Sequence, residues 1–320
     1  MTEMEKKIYL MGLLPVIKIT DPKTALPLAG ALREGGLPAA EITFRTECAA
    51  EAIAAITKAY PDMLVGAGTV LSAAQADAAI AAGATFIVTP GFNPRVVTHC
   101  LERGVPIIPG CSSPSDIEAA LELGLQTVKF FPAEAAGGLS MLKAMAAPYG
   151  QVRFMPTGGI NPDNLLSYLK FDKILACGGS FMVAENLIAA GNYAAITELT
   201  RQAMKTMLGL EFLHLGINSA NAEEALRSAR LLERLFGMPV EEGNKSAFAG
   251  TAFELMKSKG PGTMGHIGIR TNFADRAIAY FERQGFAFDD STMTTFDNGK
   301  PKFIYFKDEI GGFAFHLIQK

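Results

Sequence analysis

The segment VRFMPTGGINPDNLLSYLKFDKILACGGS (residues 152–180) contains two apolar runs with a helical pattern between them, and glycine pairs follow both runs. Strands that are apolar throughout and alternate with helices indicate a parallel sheet buried on both faces. The segment therefore predicts one strand–helix–strand unit of an α/β fold. The same alternation continues in both directions, from Leu13 to about Leu208.

Eight apolar runs occur in this part of the chain, with Ala-rich amphipathic stretches between them. Eight strand–helix units in about 200 residues favour a (β/α)8 TIM barrel, and an open doubly wound sheet is the alternative. The runs are LLPVIKI (13–19), AAEITF (39–44), MLVGAGT (63–69), TFIVTP (85–90), VPIIPG (105–110), TVKFF (127–131), VRFMPTGG (152–159) and KILACGGS (173–180).

An internal repeat begins after Met207, where the alternation of apolar runs and Ala-rich stretches ends. Each half of the repeat predicts a strand, a helix and then several strands. We therefore predict two domains, an α/β barrel over 1–210 and a duplicated α+β domain over 211–320. The repeated pairs are FLHLGINSANAEEALRSARLLERLFGM (212–238) with MGHIGIRTNFADRAIAYFERQGF (264–286), and AFELMK (252–257) with AFHLIQ (314–319).

The composition excludes several classes of protein. With 49% hydrophobic and 19% charged residues, the 320-residue chain is too apolar to be disordered. Its formal net charge of −3 provides no basic field for nucleic acid or for an anionic membrane surface. Four dispersed cysteines fit a reducing cytoplasm, and we expect no signal peptide or membrane span. A cytoplasmic protein without nucleic-acid or membrane partners is predicted.

Candidate catalytic residues lie in or just after the strands, because barrel enzymes carry their reactive groups at the carboxyl ends of strands. Lys129, in VKFFP, has apolar neighbours that favour a neutral amine able to form a Schiff base. The alternative is a lysine that extends to the barrel mouth. Glu41, Thr43 and Arg45 alternate along one strand face, which would align a proton-transfer acid with a carboxylate-binding cation. A structural Glu41–Arg45 ion pair is the alternative.

Two glycine turns predict a phosphorylated substrate. TGG (157–159) and GGS (178–180) follow the seventh and eighth runs, where barrels commonly bind phosphate through backbone N–H groups at helix N-termini. A phosphosugar isomerase or epimerase on the same barrel would also have these turns. Such an enzyme would want paired acids or a metal and would not require Lys129.

Several short motifs, in order and with preserved spacing, resemble those of the aldolases for 2-keto-3-deoxy-6-phosphogluconate (KDPG) and 4-hydroxy-2-oxoglutarate (KHG). The resemblance covers about residues 13–208 and implies a class I aldolase without a cofactor. Its substrates would be pyruvate and a phosphorylated keto acid, with KHG as a further substrate, and the family is usually trimeric. The motifs are EITFRT (41–46), GAGT (66–69), TPG (89–91), KFFPAEAAGG (129–138), PTGGI (156–160) and GGS (178–180).

The same resemblance implies a role for each matching residue. Lys129 forms the imine and Glu41 shuttles protons. Lys18, at the end of the first run, is expected at the rim of the pocket, with contact to substrate as the alternative. Independently of the resemblance, His99 is expected on a helix surface. The implied binding residues are Arg45 and Thr69 for the pyruvyl carboxylate, Pro90 and Phe131 for the pocket wall, and Thr157, Gly158, Gly159, Gly179 and Ser180 for the distal phosphate.

The second domain contains a candidate metal site. The chain has only four histidines, and His214 and His266 occupy equivalent places in the repeats HLGI and HIGI. Glu254 and His316 occupy equivalent places in the two terminal strands. Imidazole and carboxylate ligands suit Zn, Ni, Co, Fe or Mn. The alternative is a set of strand histidines that hydrogen-bond within the sheet.

The repeat resembles the glyoxalase/bleomycin-resistance family, also called vicinal oxygen chelate proteins, over about residues 211–320. In that family, paired βαβββ modules each present one ligand from the first strand and one from the last. His316 stands where metal-dependent members commonly have Glu. The domain is therefore either a metalloenzyme that acts on an α-keto or hydroxy acid, or a binding and oligomerisation module.

Overall fold

The computed structural model describes residues 1–320, and the chain divides into two compact units, Met1–Met207 and Leu208–Lys320. No helix in either unit is both long enough and apolar enough to cross a membrane.

The first unit alternates eight strands with helices. Its strands are β1 (Leu13–Ile17), β2 (Ala39–Thr43), β3 (Leu64–Gly68), β4 (Ile87–Val88), β5 (Ile107–Ile108), β6 (Thr127–Phe130), β7 (Arg153–Pro156) and β8 (Cys177–Gly179). The helices are α1 (Glu3–Met11), α2 (Ala25–Glu34), α3 (Ala49–Ala59), α4 (Ala73–Ala81), α5 (Pro94–Glu102), α6 (Pro114–Glu122), α7 (Gly138–Ala146), α8 (Pro162–Leu169), α9 (Glu185–Ala189) and α10 (Tyr193–Leu208).

All strand pairs in this unit are parallel. One sheet has the order β5-β4-β3-β2-β1-β8, and β6 pairs with β7. Isolated bridges join these two sheets: Gly110 with Lys129 on one side, and Phe154 with Ile174 on the other. Pairing therefore continues around all eight strands, as in TIM-type α/β folds. Every residue of β2 and β3 is buried, as expected for a sheet covered on both faces.

Local sequence explains where several helices begin. Ser113 and Asn161 start α6 and α8 with capping boxes, and both helices have proline in the first turn. Helix α1, which the sequence analysis did not predict, begins with a capping box formed by Thr2 and Glu5 and ends at Gly12 in a left-handed conformation.

The second unit has one eight-stranded sheet and two helices. Its elements, in chain order, follow the pattern strand, helix and three strands twice. The sheet order is β10-β11-β12-β9-β13-β16-β15-β14, with β9 and β13 antiparallel at its centre. The elements are β9 (Glu211–Asn218), α11 (Ala222–Phe236), β10 (Val240–Glu242), β11 (Ser246–Ala249), β12 (Phe253–Met256), β13 (Gly265–Thr271), α12 (Ala274–Arg283), β14 (Phe288–Thr295), β15 (Pro301–Phe306) and β16 (Phe313–Gln319).

Candidate active site and metal centre

A buried lysine and a buried glutamate face each other inside the ring of the first unit. Lys129 Nζ on β6 lies 3.2 Å from Glu41 Oε1 on β2, and their side chains are only 6% and 0% exposed. The second carboxylate oxygen, Oε2 of Glu41, has no hydrogen-bond partner in the protein. Buried polar atoms are normally paired, so this oxygen is available to a bound molecule.

Gly68, in the GAGT motif, leaves the space that the Glu41 side chain occupies. A Cβ added at Gly68 would overlap Glu41 Oε1 and would lie 2.6 Å from Glu41 Cγ. The next residue, Thr69, has a φ of 56°, in the left-handed region that side-chain-bearing residues rarely adopt. Backbone strain of this kind is concentrated at functional sites. The sequence motif contains both residues but does not indicate these two constraints.

Arg45 does not continue the row of side chains that begins at Glu41. Strand β2 ends at Thr43, whose hydroxyl donates to the carbonyl of Ile17, and Arg45 lies in the following turn. Its Nε donates to Thr69 Oγ1 at 3.3 Å. The two-residue alternation that predicted one wall of Glu41, Thr43 and Arg45 therefore applies only as far as Thr43, where the strand ends. Glu41 pairs with Lys129 rather than with Arg45.

A cavity of about 280 Å³ opens beside this pair. Phe131 lines this cavity, and its ring centroid lies 5.4 Å from Lys129 Nζ. Glu41, Thr69, Pro90 and Lys129 do not line this cavity. The predicted residues that do line it are Lys18, Arg45, Phe131, Thr157, Gly158, Gly159, Gly179 and Ser180.

The glycine turn after β7 presents unpaired N–H groups at the cavity. Two carbonyl oxygens of the turn accept hydrogen bonds from the segment after β6. Thr157 O accepts from Ala133 N at 2.8 Å, and Gly158 O accepts from Glu134 N at 3.0 Å. The N–H groups of Gly158 and Gly159 donate to no carbonyl of the chain. Successive free N–H groups form a concave site for an anion.

Two residues that the sequence analysis did not single out support this turn. Tyr168, on α8 and only 1% exposed, donates a hydrogen bond to Glu134 Oε1. Burial, reinforced by this carboxylate, raises the pKa of the Tyr168 phenol. Glu134 also lies directly behind Gly159, where an added Cβ would be 2.6 Å from Glu134 Cβ. The pair thus links the segment after β6 to the helix that follows the turn.

Two further predicted positions have ion-pair partners. Lys18 lines the cavity at its rim, and its Nζ lies 3.2 Å from Glu185 Oε2. His99, on α5, lies 3.0 Å from Asp77 Oδ1 and is partly exposed.

Comparisons with known proteins agree with this geometry. The family described as "Aldolase: KDPG and KHG aldolase" matches residues 4–199. The chain belongs to the KDPG and KHG aldolase family. It is therefore an aldolase, which is a lyase.

Individual members of the aldolase family resemble the first unit over nearly their whole length. The 2-dehydro-3-deoxy-phosphogluconate aldolase of Treponema pallidum is 55% identical over 192 residues, which are 60% of this chain and 91% of that protein. A crystal structure of the KDPG aldolase of Legionella pneumophila, with pyruvate captured as a covalent carbinolamine, is 40% identical with a TM-score of 0.61 and covers 63% of this chain and 98% of its own. The Zymomonas mobilis KDPG aldolase with 3-phosphoglycerate is 43% identical, with a TM-score of 0.60 and coverages of 63% and 95%.

A second cluster lies in the unit beyond the aldolase match, and it contains the four predicted metal ligands. The Nε2 atom of His214 lies 3.0 Å from that of His266 and 3.3 Å from that of His316. Glu254 Oε2 lies 3.1 Å from His266 Nε2 and 3.4 Å from His214 Nε2. The three imidazoles each place one ring nitrogen within 4.8 Å of the other two, and Glu254 Oε2 lies beside two of these nitrogens, around a common centre.

The glycines of the HLGI and HIGI repeats explain how these side chains converge. Gly216 pairs with His266 across the central strands, and Gly268 pairs with His214. A Cβ at Gly268 would lie 2.8 Å from His214 Cε1 and 2.9 Å from His316 Cε1. Each glycine therefore leaves room for imidazole rings above its strand.

Burial and mutual contacts set the charges of the cluster. Burial lowers the pKa of His214, and it lowers that of His316 to about 3, with help from the neighbouring histidines. Burial acts to raise the pKa of Glu254, but hydrogen bonds from His266 and Ser246 outweigh it and lower that pKa. Neutral imidazoles and an ionised carboxylate are the forms that bind metal ions.

Proposed function

We propose that the first unit cleaves 2-keto-3-deoxy-6-phosphogluconate to pyruvate and glyceraldehyde 3-phosphate through an imine on Lys129. The observation that carries this proposal is the buried Lys129–Glu41 pair at 3.2 Å in a member of the KDPG and KHG aldolase family. The captured carbinolamine of the Legionella pneumophila relative supports covalent chemistry with pyruvate at this site.

In the proposed reaction, the Lys129 amine attacks the C2 carbonyl of the keto acid, and loss of water gives a protonated imine. Glu41 removes the proton of the C4 hydroxyl, the C3–C4 bond breaks, and its electron pair moves into the imine to form an enamine. Glyceraldehyde 3-phosphate leaves as the aldehyde. Protonation of the enamine at C3 and hydrolysis of the imine then release pyruvate and restore the amine.

The two ends of the substrate would be held by different groups. Arg45, fixed by its bond to Thr69, is suited to the carboxylate next to the imine, because guanidinium binds carboxylates through paired donors. Pro90 and Phe131 would border the reacting carbons. The distal phosphate would bind Thr157, Ser180 and the free N–H groups of the glycine turn after β7, since Gly178 and Gly179 are paired within strand β8. The buried Thr157 hydroxyl has no partner in the protein, which fits a ligand contact.

Borohydride reduction in the presence of pyruvate tests the mechanism. The expected result is a stable adduct on Lys129, located by peptide mass spectrometry and lost in Lys129→Ala. The exposed Lys143 provides a control, because Lys143→Ala should still be labelled at Lys129. Absence of any adduct on the wild-type protein would contradict the imine mechanism.

Substrate breadth is part of the same proposal. The family name includes KHG, whose far end is a carboxylate, and unpaired N–H groups can accept either anion. We therefore propose KHG as a second substrate. Pyruvate release from KHG and from the gluconate and galactonate epimers of the phosphorylated substrate would rank these three compounds as substrates.

We also propose that the aldolase is a homotrimer, as the family resemblance implies. Light scattering after size exclusion would test this oligomeric state.

We further propose that the second unit is a vicinal oxygen chelate-type module that binds a divalent metal through His214, Glu254, His266 and His316. Ligand atoms about 2.0–2.2 Å from a metal are separated from one another by roughly 2.9–3.4 Å in tetrahedral or octahedral sites. Four of the six separations among these ligand atoms, 3.0, 3.1, 3.3 and 3.4 Å, fit this range. A bound metal would supply a Lewis acid that polarises a substrate oxygen.

Metal analysis of purified protein tests this second proposal. The wild type should bind about one Zn²⁺ or Ni²⁺ per chain, and His266→Ala should bind far less. His99→Ala is the matched control, because His99 lies in the first unit and should leave the stoichiometry unchanged. If neither the wild type nor His266→Ala binds added metal, the cluster is a hydrogen-bonded histidine network, and the unit is better described as a binding or oligomerisation module.

A further inference from the structure

The two halves of the second unit place their ligands at matching positions of the sheet. On one side, Glu254 pairs with Phe248 of β11. On the other side, His316 pairs with Tyr305 of β15. Glu254 and His316 are therefore equivalent positions of the two halves.

The residues that support these two ligands are also equivalent. Ser246 precedes Phe248 by two residues and pairs with Met256. Phe303 precedes Tyr305 by two residues and pairs with Ile318. Because side chains alternate along a strand, Ser246 and Phe303 each lie on the same face of the sheet as the ligand of their half.

Each support has a chemistry that matches its ligand. Ser246 Oγ donates to Glu254 Oε1 at 2.6 Å. Phe303 instead stacks on the His316 ring, with centroids 4.6 Å apart and planes 39° apart. In one half a hydroxyl hydrogen-bonds to a carboxylate ligand, and in the other half an aromatic ring packs on an imidazole ligand. The ligand and the residue behind it therefore both differ between the halves.

The hydrogen bond from Ser246 engages only one carboxylate oxygen. Oε1 accepts from Ser246, whereas Oε2 lies 3.1 Å from His266 Nε2 at the common centre. Ser246 is itself buried, so water does not readily replace its hydroxyl. A carboxylate held at Oε1 in this way keeps Oε2 as the oxygen that lies beside the histidine nitrogen.

We propose that Ser246 is a positioning residue that makes Glu254 a one-oxygen metal ligand. This inference rests on the proposed metal site and extends it to the mode of carboxylate binding. Groups behind the ligands orient them, and their loss typically weakens metal binding by about 10- to 100-fold. Without Ser246, Glu254 would rotate freely and could bind through both oxygens.

Metal titration of the full chain tests the role of Ser246, with Zn²⁺ for affinity and Co²⁺ for coordination. Ser246→Ala should weaken Zn²⁺ binding by about tenfold or more. It should also reduce the visible absorption of bound Co²⁺, because that intensity falls as coordination number rises. Ser246→Thr keeps the hydroxyl and should restore both readouts. Ser258→Ala removes an exposed serine of the same unit and is the control.

The outcomes separate the two proposals. If the wild type binds neither metal, the metal site itself is wrong. If the wild type binds but Ser246→Ala has the same affinity and Co²⁺ spectrum, the positioning role is wrong. Should Ser246→Ala fail to fold by circular dichroism, Ser246→Val decides, because valine has the branched shape of the Ser246→Thr variant, suits a strand and cannot donate a hydrogen bond. Wild-type affinity and spectrum in that variant would overturn the inference.

Discussion

Lys129 and Glu41 are two ionisable side chains that the fold removes almost completely from water. A buried charge is tolerated when it has a partner, and removal of one member leaves the other uncompensated. The sequence predicted both residues because each interrupts an apolar strand. It did not predict that they contact each other, because β2 and β6 are brought together only by closure of the ring.

Gly68→Ala tests how closely the position of Glu41 is constrained. The added Cβ would overlap Glu41 Oε1, so the carboxylate must move away from Lys129. We expect kcat to fall by about 100-fold or more, which is typical when a proton-transfer group is misplaced. Steady-state pyruvate release measures this effect. Gly150→Ala is the matched control, since a Cβ there meets nothing within 4 Å, and equal activity of the two variants would contradict the prediction.

The four free cysteines should differ sharply in reactivity. Burial raises the pKa of Cys100 to about 11 and that of Cys111 to about 12, so both thiols stay protonated at pH 8. Cys177 is also buried, whereas Cys48 is partly exposed. Titration with an aromatic disulfide at pH 8 should label one thiol rapidly in the native protein and four in denaturant. Rapid labelling of a native Cys48→Ser variant would contradict this expectation.

At the scale of elements, each of the eight apolar runs contains a strand, yet the strands are shorter than the runs. The run at 85–90 contributes only Ile87–Val88, and the run at 173–180 only Cys177–Gly179. Apolar composition predicts burial, whereas strand ends depend on pairing with neighbours that are distant in sequence. For the same reason the sequence could not show that β2 ends before Arg45.

The link between Tyr168 and Glu134 is an element-scale feature, because it joins α8 to the segment after β6. Tyr168→Phe removes the phenol but keeps the ring. We expect KM for the phosphorylated substrate to rise about tenfold, with kcat within about twofold, because hydrogen bonds to charged groups contribute about 1.5–3 kcal/mol. Steady-state kinetics measures both constants.

Tyr149 provides the matched control for this substitution. Its hydroxyl donates to Glu118 Oε1 at 3.0 Å, away from the cavity, so Tyr149→Phe should leave KM unchanged. Glu134→Gln should raise KM less than Tyr168→Phe does, because an amide oxygen still accepts from Tyr168 but carries no charge. A Tyr168→Phe variant with unaltered KM would show that the link does not affect substrate binding.

At the scale of the whole molecule, the two chemistries that we propose belong to two different compact units. The imine proposed in the first unit is itself the electron sink for bond cleavage. The imidazole and carboxylate ligands proposed in the second unit lie on four strands of that unit, β9, β12, β13 and β16. The repeat in the sequence singled out these four residues together, because equivalent positions of a duplicated module converge when the halves pair. Their role as metal ligands stays a prediction.

Chelation should separate the two chemistries in the intact chain. After treatment with EDTA and removal of the chelator, we expect metal bound to the second unit to be lost while kcat and KM of the aldolase stay within about twofold, because the imine needs no metal. Metal analysis and pyruvate release on the same sample provide the measurements. An aldolase activity that falls more than tenfold and returns with added metal would contradict this expectation.

The glycine turn after β7 has an evolutionary consequence. Its free donors are peptide N–H groups of Gly158 and Gly159, which replacement of a neighbouring side chain does not remove as long as the two glycines are kept. Substitutions that accumulate around the site would therefore abolish a side-chain contact to substrate more readily than the backbone contacts to a distal anion. In descendants of this chain, new substrate preferences would arise first through side chains that line the cavity, such as Lys18, while the proposed affinity for a negatively charged end would be inherited with the backbone.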